Sequence, residues 1–162
     1  MFFVEEVLMQ NVEIERKFLV KDESYKALAV RHYDILQGYI AKGNGRTVRV
    51  RIRDNEAFLT IKAAPAPSAI AHFEWERPIE IDDARELMKH CLPGVIEKCR
   101  WIIPNGKVDG HEQVWEVDEF LGRLAGRTLA EIELEAEDEP FAKPSFIGEE
   151  VTGQPQYYNA NM

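Results

Sequence analysis

The sequence predicts an α+β protein, mainly antiparallel β, in which about eight strands close into a barrel flanked by a few short helices. Three observations point there. Segments in which apolar and polar residues alternate recur along the chain, and alternation is the period of a strand. Most of these segments are joined by turns of a few residues, so neighbours run antiparallel. Their polar positions carry charge in same-sign blocks: Glu13/Glu15, Arg49/Arg51, Glu74/Glu76, Lys98/Arg100, Glu116/Asp118 and Glu131/Glu133. Like charges side by side on a water-facing sheet repel one another with nothing gained. Turned inward around a shared lumen, they meet counter-charges.

The elements follow in order. Residues 1–10 (MFFVEEVLMQ) are apolar but short and carry Glu5 and Glu6 without a cationic start, so they read as a flexible extension rather than a signal peptide. Residues 11–162 read as one domain. Asn11–Val20 is the first strand, with Glu13, Glu15 and Lys17 on one face and Val12, Ile14, Phe18 and Val20 supplying apolar contrast. Asp22–His32 is predicted to be a short helix capped by Asp22 or Ser24. Asp34–Ile40 is a strand closed by the turn Lys42-Gly43-Asn44-Gly45, and Thr47–Arg53 and Ala57–Lys62 form a hairpin about Asp54-Asn55-Glu56. Ala63–Ser68 is a proline-rich loop.

Ala71–Ile81 is the next strand, with Pro78 placing its far end at a sheet edge or bulge. Asp82–Cys91 is the clearest helix, capped by Asp82 and ended by Pro93-Gly94. Val95–Ile103 and Gln113–Phe120 are strands about a turn at Asn105-Gly106. Thr128–Glu137 is the last strand, and a mixed tail with Phe141, Phe146 and Ile147 follows.

Composition narrows the function classes. The chain has 162 residues, enough for one substantial core, and a net charge of −9, which argues against a general nucleic-acid binder. No apolar run approaches the roughly 20 residues of a membrane-spanning helix. Cys91 and Cys99 form no CxxC and no metal-ligand spacing, so a reducing, cytoplasmic setting is expected. The four histidines are scattered and read as surface or loop residues.

With polar faces inward, the lumen receives Lys17, Arg49, Arg51, Lys62, Lys98 and Arg100, a set suited to a polyanion. It also receives Glu13, Glu15, Glu74, Glu76, Glu116, Asp118, Glu131 and Glu133, which cannot all ionise together without added positive charge. A hard divalent cation, Mg²⁺ or Mn²⁺, takes oxygen ligands and bridges to phosphate. The residues therefore call for a metal–polyphosphate complex inside a closed sheet. The apolar outer faces need cover from helices and from a partner chain, so a homodimer is an expectation.

These motifs resemble the CYTH superfamily, the triphosphate tunnel metalloenzymes. The resemblance rests on ExExK at Glu13–Lys17, QGY at Gln37–Tyr39, RVR with FLTIK across Arg49–Lys62 and FEWE at Phe73–Glu76. EKCR at Glu97–Arg100, WEVD at Trp115–Asp118, AEIEL at Ala130–Leu134 and the tail GEEVTG…YYN continue it in order. It implies an eight-stranded tunnel acting on triphosphates with Mg²⁺ or Mn²⁺ and is most similar to the compact bacterial-type branch, usually inorganic triphosphatases. Tripolyphosphate would be the substrate. Thiamine triphosphatases and class IV adenylate cyclases share the architecture, and a polyphosphate-binding module without turnover is the non-enzyme alternative. Within this likeness Glu13, Glu15, Glu131 and Glu133 are the expected metal ligands. Glu116 and Asp118 would hold a second ion or the attacking water, and Tyr39, Lys17 and Asp118 would serve catalysis. Gln156 and His72 depart from the arginines that relatives often carry at those places.

Overall fold

A computed structural model of the protein describes residues 11–63 and 70–162; the extension 1–10 and the proline-rich loop beyond Ala63 lie outside the described residues. The strands are β1 (Val12–Val20), β2 (Arg31–Gly43), β3 (Arg46–Arg53), β4 (Glu56–Ala63), β5 (Ala71–Ile79), β6 (Ile96–Val108), β7 (His111–Phe120), β8 (Thr128–Leu134) and β9 (Ile147–Glu150). The helices are α1 (Tyr25–Leu28) and α2 (Ile81–Met88). All pairings are antiparallel, in the order β5-β4-β3-β2-β6-β7-β8-β1-β9, and a β5–β1 pairing closes β1–β8 into a ring. Among the described residues no helix is long and apolar enough to cross a membrane.

The ring consists of two antiparallel meanders, β2–β5 and β6–β8 with β1. One seam, β2 to β6, runs from Arg31↔Ile102 to Gln37↔Ile96. The other is short: β5 meets β1 only at Val12↔Phe73, Glu13↔His72 and Ile14↔Ala71. The remainder of that β1 edge is taken by β9, through Phe18↔Glu150 and Val20↔Ile147. β9 is an extra strand that the sequence pattern did not reveal, being only four residues long.

The apolar faces point outward, as strand parity requires, and much of this surface is covered within the chain, while Val12 and Ile61 stay exposed. Phe18, Trp115, Val117, Ala130, Ile132 and Leu134 form the larger core, sealed by Tyr25 of α1 and by Phe146 and Ile147. Its rings meet edge to face, with Phe18 and Trp115 centroids 5.4 Å apart. Val50, Ala57 and Ala84 form a second core under α2. Gly38 permits this approach, because a Cβ there would fall 2.7 Å from Cys91 Sγ. Phe18→Ala is expected to cost about 3–5 kcal/mol in urea unfolding, and a loss below about 1 kcal/mol would contradict the outward core.

Several boundaries differ from the sequence reading. The predicted helix 22–32 shrinks to α1, because Arg31 and His32 pair with β6. Ser24 takes its N-cap position, and its amide donates to Asp22 Oδ1. In α2 the N-cap is Glu80, so Asp82 lies in the first turn, where it complements the helix dipole. The β6–β7 turn is at Asp109-Gly110 rather than Asn105-Gly106, since β6 continues past an irregularity after Pro104 and both turn residues have positive φ. β8 stops at Leu134, which leaves Glu135 exposed.

Candidate active site

The inward faces enclose a cavity of about 850 Å³ lined by β1–β8 and by residues 158–161. The lining includes Glu13, Glu15, Lys17, Tyr39, Arg49, Arg51, Lys62, Glu74, Glu76, Lys98, Arg100, Glu116, Glu131 and Glu133. Asp118 is buried behind it, in contact with Lys98 and Arg100. Lys98 and Arg100 are shielded, with side chains 2% and 14% exposed, while Cys99 and Trp101 face the outer layer. His72 also lines the cavity, so it is neither a surface nor a loop histidine. Gln156 lies outside, donating to Gln154.

One wall is short of negative charge. Burial, followed by the neighbouring Arg49 and Arg100, pulls the Arg51 guanidinium down to about 10. Burial pulls Lys98 down to about 8, although Asp118 opposes this. The Nε–H groups of Arg49 and Arg51 are buried and meet no acceptor among the described residues. Glu76 Oε1 lies 3.0 Å from Arg51, 3.6 Å from Arg49 and 2.6 Å from Thr60 Oγ1, so one carboxylate is shared between two guanidinium groups and a hydroxyl. Donors left buried without acceptors are costly, and an anion with several oxygens satisfies them. Tyr39, opposite Arg49 across β2 and β3, brings a buried hydroxyl to the same wall.

The opposite wall is short of positive charge. Burial, then Glu131 and Glu13, push the Glu15 carboxyl up to about 8. Burial, then Glu13 and Glu116, push Glu133 up to about 7. Glu13 is raised by burial despite Lys62 Nζ at 2.6 Å. Glu15 and Glu133 are cross-strand partners on β1 and β8, so the register itself sets them together. An oxygen-only donor set with raised carboxyls fits a hard divalent cation.

Other carboxylates are already matched. Burial alone would raise Glu131, but Lys17, Arg100 and Lys98 hold it well below the usual range, with Lys17 Nζ at 3.1 Å. Asp118 is likewise held down against its burial by Arg100 and Lys98. It accepts from Arg100 Nε at 2.7 Å and Nη2 at 2.8 Å, and from Lys98 Nζ at 2.8 Å. Arg100 also pairs with Glu116. Asp118 thus fixes Lys98 and Arg100, and both its oxygens are engaged.

Three contributors were missed from sequence. Asn159 Oδ1 accepts from Lys98 at 2.9 Å and from Gln37 at 3.3 Å, and the Tyr157 carbonyl accepts from Lys17 at 3.0 Å. Asn159 and Tyr157 both belong to the tail motif YYN, which gives no sign of which lysines they meet. Thr60, turned inward by its parity on β4, accepts from Arg49 Nη2 at 3.2 Å and donates to Glu76 Oε1 at 2.6 Å.

The raised carboxyls give a sign for pH dependence. A carboxyl raised from 4.5 to about 8 on folding binds extra proton in the folded state between those values. Stability from this group is therefore lost as pH rises through that window. Without metal, the melting temperature is expected to fall from about pH 5 to about pH 8, and the rise produced by Mg²⁺ should be larger at pH 8. A rise independent of pH would contradict the cluster.

The whole architecture matches known proteins. The model of the CYTH domain matches residues 11–161. An inorganic triphosphatase of Acetivibrio thermocellus is 41% identical over 151 residues, covering 93% of this chain and 92% of that protein. An inorganic triphosphatase of Nitrosomonas europaea is 33% identical over 154 residues, covering 91% and 93%. A crystal structure of an inorganic triphosphatase superposes with a TM-score of 0.60 at 30% identity, over 92% of each chain. With the family model spanning nearly all of the described domain, the chain belongs to the CYTH domain family.

Proposed function

We propose that this chain is a metal-dependent triphosphatase that hydrolyses inorganic tripolyphosphate to pyrophosphate and phosphate inside the barrel. One observation carries the reading: a single cavity holds a basic wall with buried guanidinium N–H groups that meet no acceptor among the described residues and an acidic wall whose carboxyls are raised by burial and by one another. A divalent metal–triphosphate complex satisfies both at once. The relatives at 41% and 33% identity, both inorganic triphosphatases, support it.

Glu13, Glu15 and Glu133 would hold the ion, with Glu131 and Glu116 adjoining, and Mg²⁺ or Mn²⁺ would supply charge neutralisation and polarisation of phosphate oxygens. Arg49, Arg51, Lys98 and Arg100 bind the phosphates from the basic wall, and Lys17 and Lys62, beside Glu131 and Glu13, bind them from the acidic wall. Asp118 is a positioning residue that holds Lys98 and Arg100 in their binding geometry. Tyr39, opposite Arg49 and lining the cavity, would offer its hydroxyl to a phosphate oxygen. The walls orient the phosphoanhydride chain and exclude water from all but the reacting end, so positioning and electrostatics do the work without a covalent intermediate.

Phosphate release should be measured across tripolyphosphate, ATP, thiamine triphosphate and long-chain polyphosphate. Tripolyphosphate is expected to be the preferred substrate with Mg²⁺ or Mn²⁺, and turnover should be negligible in excess EDTA. Full activity in EDTA, binding without phosphate release, or preference for a nucleotide would overturn the reading.

A further inference from the structure

The outer wall of the barrel carries a second constellation, behind the basic wall. β6 turns Lys98 and Arg100 inward, so Cys99 between them points outward. Its cross-strand partner on β2 is Asp34, and the neighbouring outward residue of β2 is His32, opposite Trp101. The register gathers an imidazole, a carboxylate and a thiol from two strands whose sequences share no ligand motif. One ligand atom from each lies within 4.8 Å of the others, and His32 Nδ1 is 3.6 Å from Cys99 Sγ.

We propose that His32, Asp34 and Cys99 form a binding site for a borderline-soft divalent cation of the Zn²⁺ class, clamping β2 to β6 from outside the barrel. Geometry supports it. With Zn–N near 2.0–2.1 Å and Zn–S near 2.3 Å, the N-to-S edge of a tetrahedron is about 3.6 Å, the separation already present.

Donor chemistry supports it too. A mixed nitrogen, oxygen and sulfur set favours Zn²⁺ over Mg²⁺, the reverse of the oxygen-only set inside the tunnel, so the two sites sort metals by softness. The ligands are also held in place. The His32 ring lies against Trp101 with centroids 4.7 Å apart, and Asp34 exchanges hydrogen bonds with Asp54 through its amide at 2.8 Å and its carbonyl at 2.9 Å. Asp34 forms no ion pair among the described residues. His32 and Asp34 are exposed, so the cation enters from solvent, and a water completes the fourth position. On binding, the Cys99 S–H bond breaks, the metal–sulfur bond forms and the proton leaves to solvent, with no change of oxidation state. Without metal, burial keeps this thiol protonated and unreactive.

Co²⁺ is the probe. It is titrated into the whole chain with Mg²⁺ in excess and no substrate, so the outcome is independent of the triphosphatase reading. One equivalent is expected to give tetrahedral visible bands and a near-ultraviolet thiolate-to-cobalt band, both removed by Zn²⁺. Cys99→Ser should lose the near-ultraviolet band, and Cys91→Ser should keep it. His32→Ala, at an exposed position, should weaken Co²⁺ binding about tenfold or more. No thiolate band in the unaltered protein, a band that survives Cys99→Ser, or unchanged affinity in His32→Ala would each overturn the site.

Discussion

Replacing Glu15 by glutamine is expected to lower tripolyphosphate turnover by roughly 100-fold or more, while raising the melting temperature of the metal-free protein near pH 8. Changes to the outer partners of a metal site alone cost about 10–100-fold, and loss of a ligand charge should reach at least the upper end. An amide oxygen is a weaker ligand for a hard cation than a carboxylate. The gain in stability has the same origin as the loss of activity. Glu15 is half-buried beside Glu131 and Glu13, which disfavour its charge, and a bound cation would offset them. Removing that charge relieves a strain kept for function. Arg51→Ala is the counterpart on the basic wall: it should weaken tripolyphosphate binding even at saturating metal, whereas added metal should partly rescue Glu133→Gln. If both variants answer identically to a metal titration, the two walls do not divide the work.

Asp118→Ala is expected to destabilise the protein by about 3–5 kcal/mol, because it leaves buried cations without their carboxylate. Asp118 is 2% exposed and is held by three charge-assisted hydrogen bonds from Lys98 and Arg100. Urea unfolding measures the loss. Adding Lys98→Met to Asp118→Ala should recover part of it, since one unpaired charge is removed with its partner, and the double-mutant cycle should show coupling well above 0.5 kcal/mol. Additive losses would mean that the two residues do not act as a unit.

Much of this arrangement is legible in the sequence. Strand parity alone places Lys98 and Arg100 in the lumen with Cys99 and Trp101 outside, because a period of two leaves no other choice once one face is known. The charge blocks identify which face turns inward. Cross-strand register is not legible, and it decides the electrostatics. Glu131 and Glu133 look alike on β8, yet Glu131 meets Lys17 while Glu133 meets Glu15, so one is neutralised and the other held up. The same holds outside, where only register brings Asp34 opposite Cys99. The cover over the outer core was also hidden. Phe141, Phe146 and Ile147 have no period to follow, and they pack against the outer core. Asn159 belongs to the tail motif YYN, but only the fold brings it to Lys98.

Titration calorimetry with an imido-bridged tripolyphosphate, whose P–N–P links resist hydrolysis, bears on the two-walled tunnel itself. With Mg²⁺ present, the triphosphate analogue should bind at least about 100-fold more tightly than orthophosphate, a difference of roughly 2.7 kcal/mol. That advantage should fall sharply in EDTA, when the acidic wall is left unmatched. Equal affinities for the two anions, or affinity for the analogue that EDTA leaves unchanged, would mean a generic basic patch and no metal–triphosphate site within the barrel.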